Sequence, residues 1–369
     1  MCRLRSRRFG TRGVFPVTIV ALLVLGSQLD SSAQQNLDAN TLQMPQVFQF
    51  AAPSALNVIS PPQIDPEALV RIPVTVLDDA GRCVESLSAR DFSLSVDGEE
   101  SPIASFQPNH ATAAALGVLV DISQGMEFKS FSGRTFSELP FVQDAIKMIV
   151  DKLYQHDNVF LATFARRFHM MGDFTSDHHD LEQRLTMLRV TDQLDDFDAS
   201  GIYESVMKGI TVLAHAPKTC ERRALLVFTN AYCDTSTHGA DDVIAKAQFA
   251  GVTVYNVIVP SFFHRSERYS ISNEMRRIAI ETGGLTFLVK DSSAEDFIAS
   301  RTDEIASELD NQYVLGFPVS PWGPTALPVE LILPHHPGMR ARAPHVVRFR
   351  PDDFIHQIAA PPPLRILPE

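Results

Sequence analysis

Cysteine is scarce in this chain: four residues in 369, at Cys2, Cys83, Cys220 and Cys233. That excludes a small scaffold held by a dense disulfide framework. Cys220 and Cys233 bracket the apolar run Ala224–Phe228. If that run is a strand, its ends lie too far apart for a disulfide, so neither a Cys220–Cys233 bridge nor a zinc cluster is expected. Basic residues are outnumbered, 32 Lys and Arg against 44 Asp and Glu, for a formal net charge of −12. A phosphate backbone is bound chiefly by Lys and Arg, so nucleic acid is not an expected partner. Long apolar runs are also missing. The run from Val14 to Leu25 contains Pro16 and falls well short of the ~20 residues that a spanning helix needs.

What is present is ordinary globular composition, 45% hydrophobic and 21% charged, in a chain long enough for two domains. Arg3, Arg5, Arg7, Arg8 and Arg12 precede the run from Val14 to Leu25, and Ser31-Ser32-Ala33 follows it. This is the order of a secretory signal peptide, which predicts cleavage after Ala33 and a periplasmic or extracellular protein without membrane insertion. Loss of those five arginines leaves a still more acidic chain with Cys83, Cys220 and Cys233, so at least one thiol stays unpaired. Residues 34–66, rich in Gln, Asn, Ser, Ala and Pro, read as a linker, and residues 351–369 as a Pro-rich solvated tail.

Between these ends the character changes twice. Residues 69–77 are β-branched and largely alternating. Phe92–Val96 alternates strictly into the turn Asp97-Gly98, and Ile103–Phe106 reads as a short strand. From residue 113 apolar strands alternate with helical periods. The strands are Leu116–Val120, Val159–Phe164, Arg167–Phe174, Ala224–Phe228, Val252–Val259 and Leu285–Val289. The helices lie at Phe141–Leu153, Leu181–Leu188, Ile202–Leu213, Asp241–Ala250 and Ser272–Thr282, with a last one opened by the capping pattern Ser292-x-x-Glu295. Such alternation implies a mainly parallel sheet with helices on both faces. β character returns at Tyr313–Phe317, Leu327–Leu333 and Ala343–Phe349.

Several ordered motifs then carry a resemblance. Val74-Thr75-Val76, Ala89-Arg90-Asp91-Phe92 and Val96-Asp97-Gly98 are followed by Gly117-Val118-Leu119-Val120-Asp121. Later come Gly251-Val252-Thr253-Val254-Tyr255, Glu281-Thr282-Gly283-Gly284 and Asn311-Gln312-Tyr313-Val314-Leu315-Gly316-Phe317. In this order they resemble the von Willebrand factor A (VWFA)-related family of bacterial exported proteins, over roughly residues 67–350. The resemblance implies an α/β VWFA domain, a Rossmann-like, mainly parallel sheet, at residues 113–312. It would be inserted in a small discontinuous β-sandwich made of residues 67–110 and 313–350. Strands near 70–76 and 343–349 should then touch.

The resemblance also implies a metal-ion-dependent adhesion site holding Mg²⁺. The family pattern is Asp-x-Ser-x-Ser after the first strand, a Thr at a middle helix and an Asp after the fourth strand. Asp121 and Ser123 match it. Gly125 replaces the second Ser, Ser200 stands for the Thr, and Asn230 stands for the Asp. One hydroxyl ligand and one negative charge are lost, so affinity for a hard cation should fall. Asp195, Asp196 and Asp198 are the acidic residues near enough in sequence to compensate. Two readings stand: a weak divalent site formed by Asp121, Ser123, Ser200 and Asn230, or a vestigial one. The implied function is a non-enzymatic protein that binds or adheres to an unidentified protein partner.

Two further classes compete. Ser123-Gln124-Gly125 after a buried strand has part of the pattern of a hydrolase nucleophile elbow, but no His is placed beside it by any motif and Asp121 sits where a small residue is wanted. A metal-independent scaffold of an envelope assembly is the other. Asp177-His178-His179-Asp180 and His335-His336 read as exposed polar turns, because adjacent histidines do not share a helix face. Arg166-Arg167 and Arg222-Arg223 read as solvated strand flanks. Trp322, in a Pro/Gly-rich loop, reads as locally packed.

Overall fold

The computed structural model describes residues 63–64, 69–108, 112–129, 132, 134–190, 201–217, 219–231, 236–259, 265–289, 294–320, 322–350 and 355–356. The expected signal peptide, most of the expected linker and tail, Cys233, Ser292 and the acidic loop from Asp195 to Ser200 lie outside these residues; the described parts of linker and tail, 63–64 and 355–356, are not loose but pair with each other as strands.

The chain opens with β1 (Gln63–Ile64), β2 (Leu69–Leu77), β3 (Ser93–Val96), β4 (Glu99–Ser101) and β5 (Ser105–Gln107). The turn between β3 and β4 puts Asp97 at φ 52° and Gly98 at φ 81°. Two successive left-handed residues suit a tight hairpin, which is why Asp-Gly stands there. Next come β6 (Ala113–Asp121), a hairpin of β7 (Glu127–Lys129) and β8 (Thr135–Ser137), and α1 (Leu139–Val150). They are followed by β9 (Asn158–Phe164), β10 (Phe168–Met170), α2 (His178–Thr186), α3 (Ile202–Ala214), β11 (Cys220–Thr229) and α4 (Ala240–Ala250). β12 (Thr253–Ile258), α5 (Arg265–Glu281), β13 (Thr286–Leu288) and α6 (Ala294–Asp310) complete the alternating part. The chain closes with β14 (Gln312–Pro318), β15 (Ala326–Ile332), β16 (Arg340–Arg342), β17 (Val346–Arg348) and β18 (Ile355–His356), the last pairing with β1.

The central sheet has the order β10-β9-β6-β11-β12-β13, parallel throughout except for the antiparallel edge strand β10. β6 shows why its sequence reads as a continuous apolar run. Leu116, Val118 and Val120 enter the core beneath α1 and α6, while Ala115 and Leu119 enter the core beneath α3 and α4. A strand covered on both faces has no polar side to show. Ile305 and Leu309 of α6 seal the first core, and Ile202, Val206 and Ile210 of α3 the second.

The remaining strands form two four-stranded antiparallel sheets, β16-β2-β14-β5 and β17-β15-β3-β4. They face each other over one core that includes Ile72, Val74, Leu94, Tyr313, Phe317 and Val347. The fold class is therefore the expected one, an α/β domain inserted in a discontinuous β-sandwich. Of the strand expected at 343–349 only Val346–Arg348 forms, as β17, and it pairs with β15 in the other sheet; the strand that pairs with Thr75–Leu77 of β2 is β16, just before that region.

Polar side chains join the two parts. Arg342 of β16 donates from Nε to the Gly283 carbonyl at 2.9 Å, and its guanidinium pairs with the buried Glu308 of α6. Gln312 donates to the Tyr255 hydroxyl at 3.0 Å. Arg222 corrects an expectation. It is not solvated but 3% exposed, and it donates to the carbonyls of Leu309, Asp310 and Thr112 at 2.7–2.9 Å. It ties the end of α6 to the start of β6, so a strand flank has become an internal clamp. Asp157 lies 3.8 Å from it and accepts the Ala114 amide. Two smaller expectations are also revised. Asp177 is no turn residue but the N-cap of α2, accepting from His179 and Asp180 amides at 2.9 and 3.4 Å. Trp322 is 63% exposed and not packed.

Candidate functional site

In an open parallel sheet, ligands bind beyond the carboxyl ends of the strands. Here β6 and β11 are neighbours, so their last residues deliver Asp121 and Asn230 to the same place. Asp121 has no exposed surface. Its Oδ1 accepts the Ser123 amide at 2.9 Å, and its Oδ2 accepts the Thr229 hydroxyl at 2.7 Å. The Ser123 side chain also turns to this carboxylate. Burial pushes the Asp121 carboxyl up, against the hydrogen bonds from Ser123 and Thr229. Thr229 also accepts the Ala231 amide at 3.1 Å, and Ala231 sits in the left-handed region at φ 50°. Sequence reasoning passed over Thr229. Its only signal is position, one residue before Asn230 at the end of a buried strand.

Gly125 and Asn230 meet directly. A β-carbon placed on Gly125 would lie 2.4 Å from Asn230 Nδ2. The amide of Asn230 thus occupies the volume that a serine at position 125 would need. Asn230 has the size of the Asp that the VWFA pattern expects, so the departure at 230 removes charge, and the missing side chain at Gly125 is what leaves the amide its room.

The third wall is the N-terminus of α3. Gly201 caps it and donates to the Ala165 carbonyl at 2.7 Å. A β-carbon at Gly201 would stand 2.8 Å from the Arg166 carbonyl, so only glycine permits this approach. The Ser236 hydroxyl accepts from the Tyr203 and Glu204 amides at 3.0 and 3.4 Å. Glu204 in turn accepts from the Thr237 hydroxyl at 2.8 Å and the His238 amide at 3.1 Å. Burial raises its pKa, but the hydrogen bonds from Ser236, Thr237 and His238 outweigh that and hold it down at about 2. The loop beyond β11 is thereby fastened to α3. Neither Ser236 nor Glu204 was a sequence candidate, because their partners come from a segment more than thirty residues away.

Of the four expected ligands, the structure brings Asp121, Ser123 and Asn230 together, while Ser200 lies outside the described residues. A divalent Mg²⁺ wants near-octahedral oxygen donors, carboxylates among them. The described part of the site offers one carboxylate, both of whose oxygens already accept protein hydrogen bonds, and an amide where a hydroxyl would enter. Among the described residues no group of three His, Cys, Asp or Glu could hold a metal ion. The described residues by themselves do not complete a Mg²⁺ shell. Ser123 faces Asp121, and no described hydrogen bond joins it to a histidine.

No family model matches the chain, and no curated protein matches it. Solved structures do. The conserved hypothetical protein BatB of Bacteroides thetaiotaomicron is similar over 53% of this chain and 98% of its own, at 17% identity and a TM-score of 0.40. An aerotolerance-related membrane protein of Bacteroides fragilis is similar over 52% of this chain and all of its own, at 17% identity and 0.37. A von Willebrand factor type A structure from Catenulispora acidiphila is similar over 79% of this chain and 77% of its own, at 12% identity and 0.43.

Proposed function

We propose that this chain is an exported, non-enzymatic interaction module that presents the carboxyl end of its central sheet to a protein partner without a metal ion. The observation that carries this reading is the seating of the Asn230 amide against Gly125. It leaves an internally hydrogen-bonded floor with an uncharged amide where the pattern's second acidic ligand would stand. Export rests on the arginine-rich start and apolar run of residues 3–33; no helix among the described residues is long and apolar enough to cross a membrane. An exposed aromatic beside this floor supports a partner there. The β7–β8 hairpin leaves directly after Gly125 and Met126, and Phe136 on it is 45% exposed. Aromatic side chains are favoured at the centres of protein interfaces.

Calorimetric titration of residues 34–369 with Mg²⁺ and Mn²⁺ tests the metal-free reading. No saturable heat is expected up to about millimolar cation, the weak end of extracellular sites. Saturable binding that disappears in Asp121→Ala would overturn it. The partner-binding face is tested by capture from an exported-protein fraction. Capture should survive a chelator and be lost in Phe136→Ser; capture that needs the cation, or that ignores position 136, contradicts the assignment.

A further inference from the structure

A second site lies at the opposite end of the central sheet. A cleft of about 340 Å³ opens where the start of β2 and the end of β17 meet the first residues of β11 and the last turn of α4. Three arginines line it: Arg71 from β2, Arg223 from β11 and Arg348 from β17. One carboxylate, Glu221, is among its lining residues. In a chain of net charge −12 this is a local excess of positive charge, drawn from three strands that are far apart in sequence.

The guanidiniums are incompletely used. Arg71 is 49% exposed and stands 3.9 Å from Glu221, the outer limit of an ion pair. Arg223 donates from one Nη to the Ala250 carbonyl at 3.3 Å, while its buried Nε has no hydrogen-bond partner. Arg348 spends its Nε on Gln248 at 3.0 Å and lies 6.0 Å over the Phe249 ring. Phe249 is itself 43% exposed. The neighbouring backbone is also available. β16 pairs with β2 only from Thr75 to Leu77, so among the described residues the outer edge of Leu69–Val74 carries no strand. Pro73 lies on that edge and lacks an N–H, which discourages a continuous added strand. Recognition must then come mainly through side chains.

We propose that this cleft binds an extended acidic peptide segment of a partner protein. Glutamate or aspartate carboxylates would take the free donors of Arg71, Arg223 and Arg348, and an apolar neighbour would cover Phe249. Guanidinium suits carboxylate because its donors form a planar fork that two oxygens can meet. The site stands about seven strand residues, roughly 23 Å, from Asn230 along β11, so it is independent of the sheet-top reading. One chain could hold two partners, or two parts of one partner.

The test uses three probes on residues 34–369: an end-blocked octapeptide alternating Glu and Val, the same peptide with Gln for Glu, and free glutarate. The Glu peptide should bind, weaken by roughly tenfold when Arg71→Gln removes one charge-assisted contact, weaken further in Arg71→Gln/Arg223→Gln, and weaken with salt. The Gln peptide should not bind. Arg71→Gln is expected to keep the wild-type unfolding midpoint, since its ion pair is exposed and long, which separates lost binding from lost fold. Asp121→Ala should bind the Glu peptide normally, so failure here and failure at the sheet top are distinguishable. Equal binding of the Glu peptide to wild type and to the double arginine variant, or no binding by about millimolar peptide, a very weak interaction, overturns the proposal. Glutarate binding as tightly as the Glu peptide also overturns it, because the site would then be one for small anions.

Discussion

At position 125 a single missing side chain decides what the neighbouring strand end can carry. Gly125→Ser supplies the serine of the VWFA pattern but drives its β-carbon into Asn230. Overpacking of this kind costs about 1–3 kcal/mol, and urea unfolding should show it. Asn230→Ala in the same chain should recover most of that loss, a coupling that a double-mutant cycle reads directly. Asp121 and Ser123 were legible in the sequence because they follow a buried strand at fixed spacing. The contact between residues 125 and 230 was not, since spacing says which residues reach a site and nothing about how they share its volume. Arg222 shows the same blindness. Its neighbour Arg223 has the same charge, yet Arg222 is buried among carbonyls of α6 and the segment before β6, and no local pattern distinguishes the two.

Among the elements, the N-terminus of α3 and the loop after β11 form a unit held by Glu204. Its pKa is depressed to about 2, below the unfolded value near 4.3. The contribution is therefore complete above about pH 4.3 and is lost as pH falls toward 2. Protection of the 236–238 amides, relative to their intrinsic exchange rates, should fall across that window, and Glu204→Gln should show low protection at neutral pH as well. Element type was readable from period for α1, apolar at helical intervals, and from short continuous apolar runs for β6 and β9. Boundaries were less so. α5 begins at Arg265, seven residues before the expected start, because its first turns are polar and carry no periodic signal. β16, just before the last expected strand, also left no trace in hydropathy: Arg340–Arg342 carries a single apolar residue, yet it pairs with β2 while β17 pairs in the other sheet.

Across the whole molecule, the inserted domain is anchored by buried charge. Arg342→Met would leave Glu308 buried without its cation, a loss of about 3–5 kcal/mol, and adding Glu308→Gln should recover part of it. Asp310, at the junction of α6 and β14, has its pKa pushed up to about 7 by burial first and by Asp157 second, with Arg222 opposing. A carboxyl raised in the fold holds its proton more tightly there than in the unfolded chain. Stability contributed by this group is present below about pH 3.9, the unfolded value, and is lost as pH rises toward 7. Thermal midpoints measured from pH 5 to 8 should fall less steeply in Asp310→Asn than in the wild type.

The insertion also sets an order of events in time. β2 cannot gain its partner β14 until roughly 200 residues after β5 have been made or released. Until then the apolar face of β2, with Ile72 and Val74, has only the strands before the insert to cover it. The inserted domain meets a shorter delay, because its widest strand pairing, β6 with β11, spans about 100 residues. It can complete itself first, and in doing so it brings the end of α6 beside the start of β6 through Arg222. Closing that span early shortens the search that the outer strands must make. The domain that carries the candidate site thus acts as an internal template on which its own frame is assembled last.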